Sequence, residues 1–221
     1  MIHAISITTW WWCSTRAVIS TTASPAHWIE ALDLNPGARA YHLGCGVGYY
    51  TAIIAEIAGA DGSVAGSEAN PDLAARAKKN PSDYPNASVF AGDGATFDPG
   101  PCDAMLINAG VTHPSPLWLD RLRDGGCLVV PLTMATTPNF GIGLMIRITR
   151  HGRQFLAEVV TPVAIYSCTS MRDAQREPLR KAAMTRGGLM KLKSVRRDVH
   201  QQSDTCLVHG VDVCISTEEG E

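Results

Sequence analysis

The sequence predicts an α/β protein with a mostly parallel sheet, helices on both faces and an antiparallel hairpin at the sheet's end. Three observations carry this reading. Helix and strand signals alternate from about residue 25 to residue 131, which is the signature of parallel strands joined by crossover helices. A glycine-rich turn, Gly44-Cys45-Gly46-Val47-Gly48, joins the first strand to the helix after it. Beyond residue 131 the alternation stops, and Gly143–Thr149 and Gln154–Val160 are separated only by Arg150-His151-Gly152-Arg153, a connection too short for a crossover.

Each element has its own justification. Pro25–Leu34 reads as a helix closed by Asn35-Pro36-Gly37. Ala38–Leu43 is a short apolar run, as a buried strand requires. Gly48–Ala58 is rich in Ala and Ile and stops at Gly59, so it reads as a helix. Ser63–Gly66 is a second strand ending at Glu68. Asn70 offers a capping oxygen and Pro71 a preset first helical residue, which starts a helix running to about Asn80. Ala87–Ala91 and Ala104–Asn108 are the third and fourth strands. Ser115-Pro116 repeats the cap-plus-proline signal for a helix through Leu117, Leu119 and Leu122, ending at Gly125-Gly126 before a fifth strand, Cys127–Pro131. After the hairpin, Met171–Arg186 reads as a helix, and Leu192–His200 and Cys206–Ser216 as a last pair of strands. We divide the chain into a cofactor-binding domain, 1–165, and a C-terminal extension, 166–221, packed on it.

The 221 residues suffice for one α/β domain. A formal net charge of −2 gives no electrostatic footprint for nucleic acid or a membrane surface. Lys191, Lys193, Arg196 and Arg197 read as a solvated strand face. The seven cysteines show no CxxC and no other recognised metal spacing, so they are expected to be free thiols in a reducing cytoplasm, with no metal. No apolar run is long enough to span a bilayer, and the N-terminus lacks the positive stretch of a signal peptide. Trp10-Trp11-Trp12 is expected to pack over a core edge.

The chemistry is carried by loops at the carboxyl ends of the strands. Gly44, Gly46 and Gly48 let the backbone turn sharply and approach a ligand closely, and with Cys45 they form the candidate cofactor loop. Glu68 stands 20 residues beyond Gly48 at the end of the second strand, where an acidic side chain accepts from ribose hydroxyls. Asp93, in Gly92-Asp93-Gly94 after the third strand, is placed to accept from an adenine amino group, with Gly94 beside it. The loop reads G-x-G-x-G, whereas a dinucleotide fingerprint reads G-x-G-x-x-G. That spacing, with the Asp after strand three and the terminal hairpin, favours S-adenosyl-L-methionine over a nicotinamide or flavin, and hence a Rossmann-like methyltransferase sheet.

The stretch from Ser20 to Val163 resembles the protein-L-isoaspartate O-methyltransferases. The matching segments are Gly44-Cys45-Gly46-Val47-Gly48-Tyr49-Tyr50-Thr51-Ala52, Gly92-Asp93-Gly94, the run Leu122–Pro131 with its Gly125-Gly126-Cys127-Leu128-Val129-Val130-Pro131, and Thr161-Pro162-Val163. The resemblance implies methyl transfer from adenosylmethionine to the carboxylate of an isoaspartyl residue, a repair reaction on a protein or peptide. The chain departs from the family in having fewer residues before the first motif and in a shorter Pro25–Gly37 segment. His42 stands where an acidic residue is common. The family's Thr-Ile-Ser motif, which lines the acceptor site, is represented by Thr21-Thr22-Ala23-Ser24. These departures fall on the acceptor side, so the alternatives are a small-molecule or modified-peptide acceptor, or a non-catalytic adenosylmethionine-binding protein.

The acceptor decides the chemistry. A carboxylate is already ionised near neutral pH and needs no general base. Hydroxyls of Thr22 and Ser24, with Thr21, would then hold its oxygens. A hydroxyl or amine acceptor would need a base, for which His113, after Asn108-Ala109-Gly110 at the end of strand four, is the candidate. Such a base would show as a limb near pH 6.5. Asn108 either faces the methionine part of the cofactor or satisfies backbone groups, and His27 and His42 read as structural.

Overall fold

The computed structural model describes residues 24–80 and 83–219. Trp10, Trp11, Trp12, Thr21 and Thr22 lie outside the described residues, and so does the side chain of Ser24.

The first half alternates as the sequence predicts. In order come α1 (Ser24–Glu30), β1 (Arg39–Leu43), α2 (Tyr49–Ala58), β2 (Ser63–Glu68), α3 (Pro71–Ala77), β3 (Ala87–Ala91), β4 (Cys102–Ile107) and α4 (Pro116–Arg121). The second half is mostly strand: β5 (Leu122–Thr137), β6 (Phe140–His151), β7 (Gln154–Tyr166), then α5 (Glu177–Thr185) and three short strands, β8 (Ser194–Arg196), β9 (Cys206–Val208) and β10 (Cys214–Ser216). All ten strands form one sheet in the order β3-β2-β1-β4-β5-β6-β7-β8-β10-β9. The pairings from β3 to β5 are parallel, and those from β5 onward are antiparallel.

Local sequence explains the boundaries. Asn70 Oδ1 accepts from the backbone N–H of Asp72 at 2.9 Å and Leu73 at 3.2 Å, with Pro71 in the first turn. Gly48, at φ 86°, precedes α2 and lets the chain leave the loop into the helix. Ser115 makes no side-chain cap, and α4 ends at Arg121 because Leu122 is already extended and pairs with Cys102.

The antiparallel part is larger than the sequence suggests. The hairpin expected to close the sheet is extended at both ends, with only two residues between β5 and β6 and two between β6 and β7. The helix expected over Met171–Arg186 starts at Glu177, after a 3₁₀ turn at Thr169–Met171. The expected final strand Cys206–Ser216 is broken into β9 and β10 around a turn.

Both faces of the sheet centre are buried. Along β4, Met105 and Ile107 join one apolar cluster with Tyr41, Trp118, Leu128, Val130, Ile146 and Ile148. Ala104 and Leu106 join the other, with Trp28, Ile54, Val64, Val129 and Met145. This is the two-residue alternation of a strand covered on both sides. Leu189, Leu192, Val195, Val208, Val213 and Ile215 of the C-terminal extension belong to the first cluster, so that segment shares the main core. Arg196 and Arg197 are paired with Asp198 and Asp120. Among the described residues, no helix is long and apolar enough to cross a membrane.

Candidate active site

The glycine loop leaves β1 at its carboxyl end and is held on three sides. The backbone N–H groups of Gly44 and Cys45 donate to Ser67 O at 2.9 and 3.0 Å, and Gly48 N–H donates to Cys45 O at 2.8 Å. Asn80, from the end of the α3 region, donates its side-chain N–H to Val47 O at 2.7 Å. Gly44, Gly46 and Gly48 all have positive φ, 71°, 57° and 86°. A Cβ at Gly46 would point into open space, whereas one at Gly44 would press on Asn108 O at 3.1 Å.

Glu68 faces this loop. Its Oε2 accepts from Gly46 N–H and its Oε1 from Asn70 N–H, each at 2.9 Å. An ionised carboxylate has about four acceptor positions, so two backbone donors leave room for two hydroxyls. The backbone also links Glu68 to the third strand's loop, since Gly92 N–H donates to Glu68 O at 2.8 Å.

Asp93 follows directly. Its Oδ1 accepts from Ala95 N–H at 2.9 Å and from the Ser170 hydroxyl at 3.0 Å. Behind it, Tyr41 Oη lies 2.7 Å from Ser67 Oγ and donates to Gly94 O at 2.9 Å. A Cβ at Gly94 would overlap both Ser67 Oγ and Tyr41 Oη, so this glycine is demanded by close packing. Burial drives the Tyr41 phenol well above its ordinary range, leaving it a neutral donor. Tyr41, Ser67 and Ser170 form a brace that sequence reading passes over, because hydroxyls on strands and in a downstream turn carry no local signal.

Asn108 joins the same group. Its backbone N–H donates to Leu43 O at 2.8 Å, and its side chain reaches Gly44 O at 3.4 Å. Cys45 differs from the rest. It is buried beneath the loop with its sulfur toward Gly66, and burial and the Glu68 charge push the thiol up to about 12. Any part it plays toward a ligand is through its backbone.

His113 lies apart. Thr112 Oγ1 spends its single hydrogen on Met171 O at 3.0 Å, so His113 Nδ1–H donates to Thr112 Oγ1 at 2.9 Å and leaves Nε2 with the lone pair. Burial, and then the Arg176 charge, hold His113 down to about 4, below the pH 6.5 at which a histidine base would show its limb. Its charged neighbours, Arg176, Asp212, Asp173 and Arg180, all come from the extension. Among the described residues, none of its hydrogen bonds reaches the glycine loop, Glu68 or Asp93. His42 is fully buried, bonded to Thr51 Oγ1 at 2.9 Å, and desolvated to about 4, as befits a core residue.

A cleft lined by Leu34, Pro36, Asp103, Arg123 and Gly126 sits at the amino ends of β1, β4 and β5, the opposite end of the sheet from the glycine loop. Ligands of open α/β sheets bind outside the carboxyl ends, so Gly44–Gly48, Glu68, Asp93 and Asn108 define the candidate site.

The family described as protein-L-isoaspartate(D-aspartate) O-methyltransferase matches residues 10–151. Protein-L-isoaspartate O-methyltransferase 1 of Archaeoglobus fulgidus is 40% identical over 112 residues, covering 48% of this chain and 51% of that protein. The enzyme of that name from Ignicoccus hospitalis is 29% identical over 150 residues, covering 66% and 69%. The chain thus spans about half to two-thirds of the length of these curated relatives. Among solved structures, a protein-L-isoaspartate O-methyltransferase superposes with a TM-score of 0.61 at 21% identity, covering 71% of this chain and 50% of that one. The Plasmodium falciparum protein of that family, in complex with S-adenosyl-L-homocysteine, superposes with a TM-score of 0.54 at 21% identity, covering 66% and 71%. At that identity the two superpositions establish a shared fold.

Proposed function

The chain belongs to the protein-L-isoaspartate O-methyltransferase family, and from that premise we propose that it methylates the carboxylate of L-isoaspartyl residues in proteins or peptides, with S-adenosyl-L-methionine as donor. The observation that carries this reading is the junction of Glu68 with the glycine loop at the carboxyl ends of β1 and β2. The residues present fit the donor: open space before Gly46, a carboxylate with spare acceptor positions, and Asp93 on the neighbouring loop.

Bound adenosylmethionine supplies an electrophilic methyl group on a sulfonium. Glu68 would accept from the ribose hydroxyls, Asp93 from the adenine amino group, and Asn108 would face the methionine part. Gly44, Gly46, Gly48 and the Cys45 backbone would let the chain approach the donor closely. A carboxylate acceptor is ionised near neutral pH, so the protein's work is to align the acceptor and exclude water. Thr22 and Ser24 hydroxyls would hold the acceptor oxygens. His113, held neutral and away from the loop, is left a positioning role. We read 1–165 as the catalytic domain and 166–221 as an extension of it. We assign the protein to the cytoplasm, supported by the six described cysteines, which form no disulfide with one another.

The test is transfer of labelled methyl to an isoaspartyl peptide and its aspartyl twin. Base-labile label on the isoaspartyl peptide alone is expected. Equal labelling of both peptides, or of neither despite cofactor binding, overturns the assignment and points to another acceptor or to a binding protein.

A further inference from the structure

The three C-terminal strands are very small. β8, β9 and β10 have three residues each, β8 joins β7 through the single pair Leu156–Ser194, and the β10–β9 ladder is irregular at its second pair. Strand pairs this short are marginal without packing or a cross-link. Four side chains converge on them: His200 after β8, Cys206 opening β9, His209 after β9 and Cys214 opening β10. One candidate ligand atom from each lies within 4.8 Å of the other three.

We propose that His200, Cys206, His209 and Cys214 form a tetrahedral Zn²⁺ site that staples the C-terminal strands. Nothing in the methyl-transfer site requires it, and the four residues span only positions 200–214, in the pattern H-x₅-C-x₂-H-x₄-C. Two sulfurs and two imidazole nitrogens are the donor set of structural zinc. For Zn–S near 2.3 Å and Zn–N near 2.0 Å, a tetrahedron separates sulfur from nitrogen by roughly 3.5 Å. Cys206 Sγ stands 3.6 Å from His200 Nε2.

Two further observations point to a ligand. His209 Nδ1 is buried with no hydrogen-bond partner. His200 Nδ1 lies 2.9 Å from Asp198 O, and a carbonyl can only accept, so the proton is on Nδ1 and the Nε2 lone pair faces Cys206. Ligating histidines characteristically donate their other ring N–H in this way. Binding releases the two thiol protons and leaves Zn²⁺ balanced by two thiolates and two neutral imidazoles. Asp212, in the turn between the last two ligands, pairs with Arg176, which borders His113. The site therefore fixes one wall of the region beside His113.

The 221-residue chain, purified under a thiol reductant without chelator, should carry about one zinc per chain by elemental analysis. Exchange with Co²⁺ should give the intense visible bands of tetrahedral cobalt with a thiolate charge-transfer band. Cys206→Ser with Cys214→Ser should lose both. Should that variant not fold, His209→Cys supplies the second reading, since it keeps four ligands and should retain one zinc with a stronger thiolate band. The proposal is overturned by less than about a tenth of a zinc per chain after exposure to zinc, by a cobalt spectrum without the thiolate band, or by a Cys206–Cys214 disulfide surviving reduction.

Discussion

Glu68 accepts a hydrogen bond from the backbone N–H of Gly46 at 2.9 Å, so the second strand's carboxylate holds the first strand's loop in shape. Its other oxygen takes the N–H of Asn70, at the start of α3. The residue proposed to bind ribose thus also orders the loop around it. Losing a charged acceptor typically costs about 1.5–3 kcal/mol, roughly ten- to a hundredfold in affinity. Glu68→Ala should weaken adenosylmethionine and adenosylhomocysteine alike by at least that much in calorimetry. Unchanged affinity for both would assign the ribose to another residue.

Gly46→Val should separate binding from folding. At φ 57° a β-branched residue is strained by about 1–2 kcal/mol, yet its Cβ meets no atom within 4 Å. The variant should fold with a melting temperature lowered by roughly 2–8 °C, and should lose cofactor binding because the valine fills the space before the loop. Retained affinity in the folded variant would remove the loop from the site.

His113 should leave no mark on the pH–rate profile near 6.5. Burial and Arg176 hold its imidazole at about 4, so it is neutral throughout the range in which a carboxylate acceptor is ionised. The rate on an isoaspartyl peptide should be flat from pH 6 to 8, with His113→Ala lowering it only a few-fold through lost positioning, far short of the roughly 10²–10⁴-fold worth of a general base. A limb near pH 6.5 that vanishes in His113→Ala would show that histidine acting as base.

His42 should make the fold acid-sensitive. Its imidazole titrates near 6.5 in the unfolded chain and at about 4 when buried against Thr51. Between those values the unfolded state holds more protons, so stability rises with pH across that window and is lost as pH falls through it. The full effect is on the order of 3 kcal/mol. Urea midpoints should drop between pH 7 and 5, and the drop should shrink in His42→Gln. An identical slope in that variant would assign the acid sensitivity elsewhere.

The fold around the proposed cofactor side was legible because its signals are local. Asn70-Pro71 announces α3, and the glycine loop falls between a short apolar strand and an Ala-rich helix. The rest is set by contacts between distant residues. Asp124-Gly125-Gly126 reads as a helix stop, yet Leu122 already pairs with Cys102, so β5 starts five residues earlier than Cys127. Ser170 reaches Asp93 from 77 residues away. The low titration of His113 comes first from burial and then from Arg176, which arrives from the extension. The four residues His200, Cys206, His209 and Cys214 match no familiar spacing, and only the folding of the segments after β8 and around β9 and β10 gathers them.

The meander β5-β6-β7 also dictates an order of assembly. Its strands close across two-residue turns, whereas Leu43 of β1 finds Ser67 of β2 across 24 residues of chain and Ile107 of β4 across 64. Short closures are entropically cheap and fast, and long ones are late. The hairpins should thus be in place while the loop after β1 that holds Gly46 and the strand that ends at Glu68 are still searching for each other. A ligand that needs both can act only after the transition state, slowing unfolding in proportion to its affinity while leaving the refolding rate unchanged.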